Sequence, residues 1–147
     1  MTKVIHVERA SKGSPDQVFA LLADVTQWTA WGPFDRAELE QPAPGDDPNG
    51  LGSVRRLQAT GAPASHERVI AYEPGRRFGY ELLAGLPLRD YQANVTLEPL
   101  PDGTRITWHS EFRPKVPGTG WFYRSVLQAF IARATGGLAK AAEAAAA

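Results

Sequence analysis

A single change of period at Pro117 limits what this chain can fold into more than any other feature. Before it, run after run of residues alternates in period two. After it, Tyr123, Val126, Leu127, Phe130, Ala134, Leu138 and Ala141 recur at three- and four-residue steps, the spacing of one amphipathic helix. One long helix must therefore serve a whole sheet. A sheet bent around a single helix cannot bring every inward side chain into contact with it, so the volume left over becomes a cavity reached through loops. Gly136 and Gly137 fall inside the helix at a cost of roughly 1 kcal/mol each relative to alanine. They mark close packing on the sheet, a kink or the start of a frayed tail.

The rest of the chain supplies the sheet. Lys3 to Ala10 places Ile5 and Val7 opposite His6 and Glu8, as in a half-buried strand. Ser14 offers an N-cap and Pro15 a first helical residue for a short helix to Ala23. Asp24 restarts a second short helix to Trp31. A weak strand over Asp35 to Gln41 precedes the polar loop Pro42 to Gly50. Strands are then expected over Ser53 to Thr60, His66 to Glu73, Arg77 to Leu83, Arg89 to Glu98 and, after the turn Pro101 to Gly103, Thr104 to Arg113. The class is α+β, with a curved antiparallel sheet around a long C-terminal helix. At 147 residues a single domain over 1–147 is expected, large enough for one core and one site.

Sixteen basic and sixteen acidic side chains cancel, so no broad positive field exists to attract a phosphate backbone, and nucleic acid is not an expected partner. With no cysteine, disulfides, thiolate ligands and a cysteine nucleophile are excluded. The N-terminus lacks a secretory apolar stretch. Outside the Ala-rich tail, which carries Lys140 and Glu143, no apolar run nears about 18 residues. The expectation is a cytoplasmic protein without stable membrane insertion, working as a monomer or homodimer.

Strand alternation assigns the cavity walls, because one parity faces the helix and the other solvent. Ile106, Trp108, Ser110 and Phe112 form the inward parity of the last strand, Tyr91, Ala93, Val95 and Leu97 that of the one before, and Phe78, Tyr80 and Leu82 that of its neighbour. Leu127 and Phe130 face them from the helix. A buried phenol needs a hydrogen-bond partner, so Tyr80 and Tyr91 on adjacent strands suggest a polar end to an apolar pocket. Glu67 shares parity with Val69 and Ala71, which points a carboxylate inward where it needs a partner. Arg56 on the adjacent strand is one candidate. The pair either orients a ligand's polar group, merely neutralises itself, or is turned to solvent by a bulge. Trp28 and Trp31, three residues apart, share a helix face and form either a lid over the sheet's mouth or ordinary core. Trp121 is either a surface anchor or part of the same entrance.

Catalytic motifs are scarce. His6 and His109 fall on outward parity, His66 lies on the parity opposite Glu67, and the three do not cluster. No HExxH, GxSxG, GxxxxGK[ST] or GxGxxG occurs, which removes the sequence basis for zinc hydrolysis, a serine triad and nucleotide binding. No metal and no cofactor is expected. Acid–base chemistry through Glu67, a tyrosine and a trapped water stays open, since burial tunes a cavity carboxyl.

The opening strand with SPDQVFALLADVTQWTAW, the middle GSVRRL, the run HERVIAYEPGRRFGYEL, the strand GTRITWHSEFRP and the amphipathic last helix together resemble the START-like (SRPBCC) superfamily of polyketide cyclases, lipid-transfer proteins and the birch-pollen allergen. The resemblance spans nearly the whole chain and implies the helix-grip fold. It is similar in more detail to bacterial relatives of the plant abscisic-acid receptors, whose cavity is closed by a gate loop and a latch loop. Gly61, Ala62, Pro63 and Ala64 resemble the gate, and Pro87, Leu88 and Arg89 the latch, with Glu67 and Tyr91 at positions that belong to the polar part of the pocket in those receptors. The latch histidine is Pro87 here, and Trp31 to Gln41 holds no lysine to pair with the hormone's carboxylate. Abscisic acid is therefore not the expected ligand. Glycine and proline also suit such loops on physical grounds, because Gly61 and Gly85 allow unusual backbone angles while Pro63 and Pro87 restrict the conformers; plain hairpin turns use them in the same way.

Three functions follow, in order. The first is a carrier or sensor that binds or transports a hydrophobic small molecule, such as a lipid, polyketide or aromatic metabolite, lined by Trp28, Trp31, Arg56, Glu67, Tyr80, Leu82, Tyr91, Trp108, Ser110, Leu127 and Phe130. The second is a cofactor-independent polyketide cyclase or dehydratase with Glu67 or Tyr91 as acid or base. The third is a protein-interaction module using apolar surface around Trp121 and Phe122.

Overall fold

Local signals start and stop the elements of the computed structural model, which describes residues 1–146. Strand β1 (Lys3–Ser11) leads to helix α1 (Pro15–Ala23). There the Ser14 hydroxyl accepts from the Gln17 amide while the Gln17 side chain accepts from the Ser14 amide, satisfying two otherwise orphaned donors. Asp24 caps the next turn by accepting from the Thr26 amide. A short 3₁₀ turn over Val25–Gln27 runs into α2 (Trp28–Trp31), so the expected second helix is a tight turn plus one helical turn.

Six further strands follow: β2 (Arg36–Gln41), β3 (Val54–Gln58), β4 (Ser65–Glu73), β5 (Arg77–Ala84), β6 (Leu88–Leu100) and β7 (Gly103–Pro114). The chain closes with α3 (Gly120–Ala146). All seven strands form one antiparallel sheet in the order β1-β7-β6-β5-β4-β3-β2, and its curved, open form with the long C-terminal helix is the helix-grip architecture. Closure of the meander by β1 against β7, Ile5 facing Ser110 and Val7 facing Trp108, brings the N-terminus beside the last strand.

The core lies between the concave face of the sheet and the helices. Ile5, Val18, Leu22, Phe78, Val95, Ile106, Trp108 and Leu138 are fully buried there. Helix α3 meets this core unevenly. Its C-terminal half buries small residues, Ala134, Ala139 and Ala142, with Leu138, which lets it approach α1 and β1 closely. Gly137 is part of that approach: a Cβ there would lie 1.9 Å from the carbonyl oxygen of Trp31. Gly136 faces open space. The helix is continuous past both glycines, so one serves close packing, against α2 rather than the sheet, and neither kinks or frays it. The N-terminal half carries larger, half-buried side chains, Tyr123, Leu127 and Phe130, and stands off the sheet.

Candidate functional site

Where α3 stands off, a cavity of about 590 Å³ opens between it and the sheet, within the usual range for small-molecule sites. Trp28, Leu57, Leu82, Trp108, Leu127 and Phe130 give it an apolar wall. Ser65, Glu67, Tyr80 and Tyr91 give it a polar end, and Glu67 is the sole charged residue on the wall among the described residues. Gly61 to Pro63 and Leu86 to Leu88 border it. These two loops pack on each other at Gly85, whose φ of +110° and lack of a Cβ admit the Ala64 carbonyl, 1.9 Å from where a Cβ would sit. A second depression of about 440 Å³ along Lys12, Pro15, Pro99 and Asp102 is open to solvent and holds no buried ionisable group.

A bulge shapes the polar end. Leu88 and Tyr91 are three residues apart, on opposite parities of β6, yet both line the cavity. The register between β6 and β7 shifts between Arg89 and Gln92, and Asp90 there adopts a φ of +53°. That extra residue resets the alternation. Asp90 is held by Arg113 of the neighbouring strand, whose Nε donates to its carboxylate at 2.9 Å. Tyr91 then points inward, its hydroxyl 3.3 Å from Ser110 Oγ.

Glu67 sits directly opposite Arg55, not Arg56, in the β3–β4 register. Arg55 is buried completely, with a guanidinium nitrogen 3.9 Å from Glu67 Oε1. Its guanidinium carbon lies 4.1 Å from the Trp28 ring centroid and 4.7 Å from that of Phe78. Arg56 points away, 3.4 Å from Glu38, so the expectation that it supplies the cavity's polar end is corrected. The reason is parity. Ser53, Arg55 and Leu57 alternate inward and are all buried, and Arg56 therefore faces out. The sequence leaves the choice open, because β3 carries an apolar residue on each parity, Val54 with Arg56 and Leu57 with Arg55.

Burial drives the electrostatics here. It raises the Glu67 carboxyl from 4.5 to about 7, only partly opposed by Arg55 and by the Ser65 hydroxyl that donates to Oε2 at 3.3 Å. It lowers Arg55 to about 10 against the opposing pull of Glu67 and Tyr80. Tyr91 is pushed up to about 12 by burial, against the hydrogen bond with Ser110. Tyr80 is raised by burial, with Tyr91 and Glu67 adding to it. A carboxyl that changes charge near neutrality thus lies beside two phenols that stay protonated.

Other expected site residues divide. Trp28, Glu67, Tyr80, Leu82, Tyr91, Trp108, Leu127 and Phe130 line the cavity, as do Gly61, Ala62, Pro63, Pro87 and Leu88. Trp31 and Ser110 do not. Trp31 is core, 7% exposed, with Nε1 donating to Leu21 O at 3.1 Å; Trp28 is 1% exposed and donates to Leu22 O at 2.9 Å. Tied to α1 in this way, neither ring is a lid: Trp28 is part of the wall and Trp31 packs in the core beside it. Ser110 lies behind Tyr91. Ala64 supports Gly85 from outside the wall, and Arg89 is exposed. Trp121, 69% exposed, is surface.

Phe34, Ser65, Tyr123, Val126 and Ile131 also line the cavity. The helical spacing marks Tyr123 and Val126, whereas Phe34 lies in an irregular segment without a periodic signal. His66 reaches Glu40 at 2.6 Å, and His6 and His109 meet each other at 3.2 Å on the outer face. Among the described residues no three His, Asp or Glu side chains converge on a metal-sized site. Among the described residues no helix is long and apolar enough to cross a membrane.

This geometry has relatives. The fold matches a protein of Thermus thermophilus at a TM-score of 0.78, with 18% identity, over 99% of this chain and 100% of that one. It matches a point mutant of norcoclaurine synthase from Thalictrum flavum, bound to a transition-state analogue, at 0.76 with 17% identity, over 100% of this chain and 98% of that one. It matches the di-domain aromatase/cyclase StfQ of the steffimycin biosynthetic pathway at 0.81 with 15% identity, over 99% of this chain and 52% of StfQ. By sequence, an uncharacterized protein of Mycobacterium tuberculosis strain H37Rv is 27% identical over 102 residues, 65% of this chain and 56% of that protein; the chain thus spans little more than half the length of the curated relatives it matches. The family described as polyketide cyclase / dehydrase and lipid transport matches residues 2–143. That span takes in every strand and most of α3, and the chain belongs to this family.

Proposed function

We propose that this chain, as a single ligand-binding domain, binds and carries or senses a hydrophobic small molecule, of lipid, polyketide or aromatic type, inside the cavity. The observation that carries this reading is the 590 Å³ cavity with one polar end in an otherwise apolar wall. The loops at Gly61–Ala64 and Pro87–Arg89 are the gate in this reading. Native mass spectrometry of freshly purified protein tests it. The expected result is a retained mass, or one-to-one uptake of N-phenyl-1-naphthylamine; absence of both contradicts it.

One observation favours a second reading, a cyclase or dehydratase. Glu67, its carboxyl raised to about 7, lies at the same polar end as Tyr91 and can accept or return a proton at neutral pH. In that case Glu67→Gln lowers turnover of a polyketide-like substrate by about 100-fold or more. Unchanged turnover removes Glu67 as acid or base.

A further inference from the structure

Among the described residues the cavity wall carries one carboxyl, three phenols (Tyr80, Tyr91, Tyr123) and no cation. The nearest positive charge, Arg55, lies behind Trp28 and Tyr80, is 0% exposed and does not reach the wall. An anionic headgroup placed at this end would meet Glu67 in a low-dielectric site with no group to neutralise it directly. A cation would have to give up its hydration for a single carboxylate that it shares with Arg55, 3.9 Å away. A hydroxyl suffers neither penalty. It can donate to Glu67 Oε2, whose one contact is the 3.3 Å bond from Ser65, and can accept from a tyrosine hydroxyl.

We infer that the polar end selects an uncharged amphiphile, an alcohol or phenol whose hydroxyl lies against Glu67 and the tyrosine pair, and rejects carboxylates such as free fatty acids and aromatic acids. The inference rests on the cavity-binding reading and narrows its ligand class. Four groups face Glu67: Arg55 from β3, Ser65 from its own strand, Tyr80 from β5 and Tyr91 from β6. From α3 the wall receives Tyr123 and apolar residues, with no charge. Glu67 is thus the acidic group that a ligand meets on the wall, with Arg55 behind it, and since its carboxyl titrates near neutrality, rejection of anions should weaken on mild acidification.

The test is displacement of bound N-phenyl-1-naphthylamine by four probes that share one chain: 4-hexylphenol, hexylbenzene, 4-hexylbenzoate and 4-hexylbenzylamine. At pH 8 the phenol should displace at a concentration at least 10-fold below that of hexylbenzene and of the benzoate, with the benzylamine no better than the phenol. Between pH 8 and pH 6 the benzoate, still ionised, should gain several-fold while hexylbenzene does not change. In Glu67→Gln, where Arg55 remains as the local charge, the benzoate should gain at least 10-fold at pH 8. Equal binding of phenol and hexylbenzene overturns the hydroxyl subsite, as does a benzoate that matches the phenol in the wild type. Tighter binding of the benzylamine replaces it with a cation site. If N-phenyl-1-naphthylamine itself never binds, the cavity-binding reading fails instead. The wild-type series decides the matter even if Glu67→Gln does not fold.

Discussion

Arg55 is buried to 0% exposure and none of its guanidinium nitrogens has a hydrogen-bond partner. Its compensation is the Glu67 charge at 3.9 Å and the faces of Trp28 and Phe78, contacts of a kind that contribute on the order of 2 kcal/mol when desolvated. Removing one member of such a pair leaves the other as an uncompensated charge, which costs about 3–5 kcal/mol. Arg55→Met should therefore destabilise the protein by roughly 3 kcal/mol at pH 8, and by less at pH 5, where the stranded carboxyl is protonated. Denaturant unfolding at the two pH values checks this; an equal loss at both contradicts it. In the intact protein the folded-state carboxyl sits at about 7 against 4.5 for the free group. Folding therefore takes up a proton, and the Glu67 contribution to stability is fully present below pH 4.5 and is lost as the pH rises through 7. Glu67→Gln should flatten stability across that window. Half of the pair was legible: Val69 and Ala71 give Glu67 its inward parity, but Val54 and Leu57 stand on opposite parities of β3, so its apolar residues do not say which of two adjacent arginines turns inward.

At the scale of elements, α3 divides into a half that closes the core and a half that frames the cavity, and adjacent glycines report the closure. Gly136 faces open space, while a Cβ on Gly137 would strike the Trp31 carbonyl oxygen. Gly136→Ala should stabilise the protein by up to about 1 kcal/mol through helix propensity. Gly137→Ala should destabilise it by about 1–3 kcal/mol by prising α3 from α2. Thermal unfolding of the two variants gives opposite signs if α3 docks in this way, and the same sign if it does not. The helix itself was legible from its three- and four-residue spacing, but its docking partner was not, because a helical period specifies a face and not the element across from it. The bulge in β6 was hidden for a related reason. Simple alternation places Tyr91 inward, whereas bringing Leu88 inward as well depends on Asp90 at a φ of +53° and on Arg113 from β7 holding it. That contact is long-range and leaves no mark on local periodicity.

At the scale of the whole molecule, the antiparallel sheet, its single long helix and the space between them follow from the change of period at Pro117, and the family match over residues 2–143 agrees. The cavity's chemistry is less legible than its existence, since Phe34 and the loop residues at the mouth lie outside any periodic run. Trp28 and Trp108 stand on the cavity wall while Trp121 is exposed. This arrangement provides an internal reporter of occupancy. Titration of the protein with N-phenyl-1-naphthylamine, exciting tryptophan and following energy transfer to the probe, tests the central claim most directly. Saturable one-to-one transfer that survives Trp121→Phe and is reversed by 4-hexylphenol is expected; transfer that never saturates, or that disappears with Trp121, contradicts an internal site.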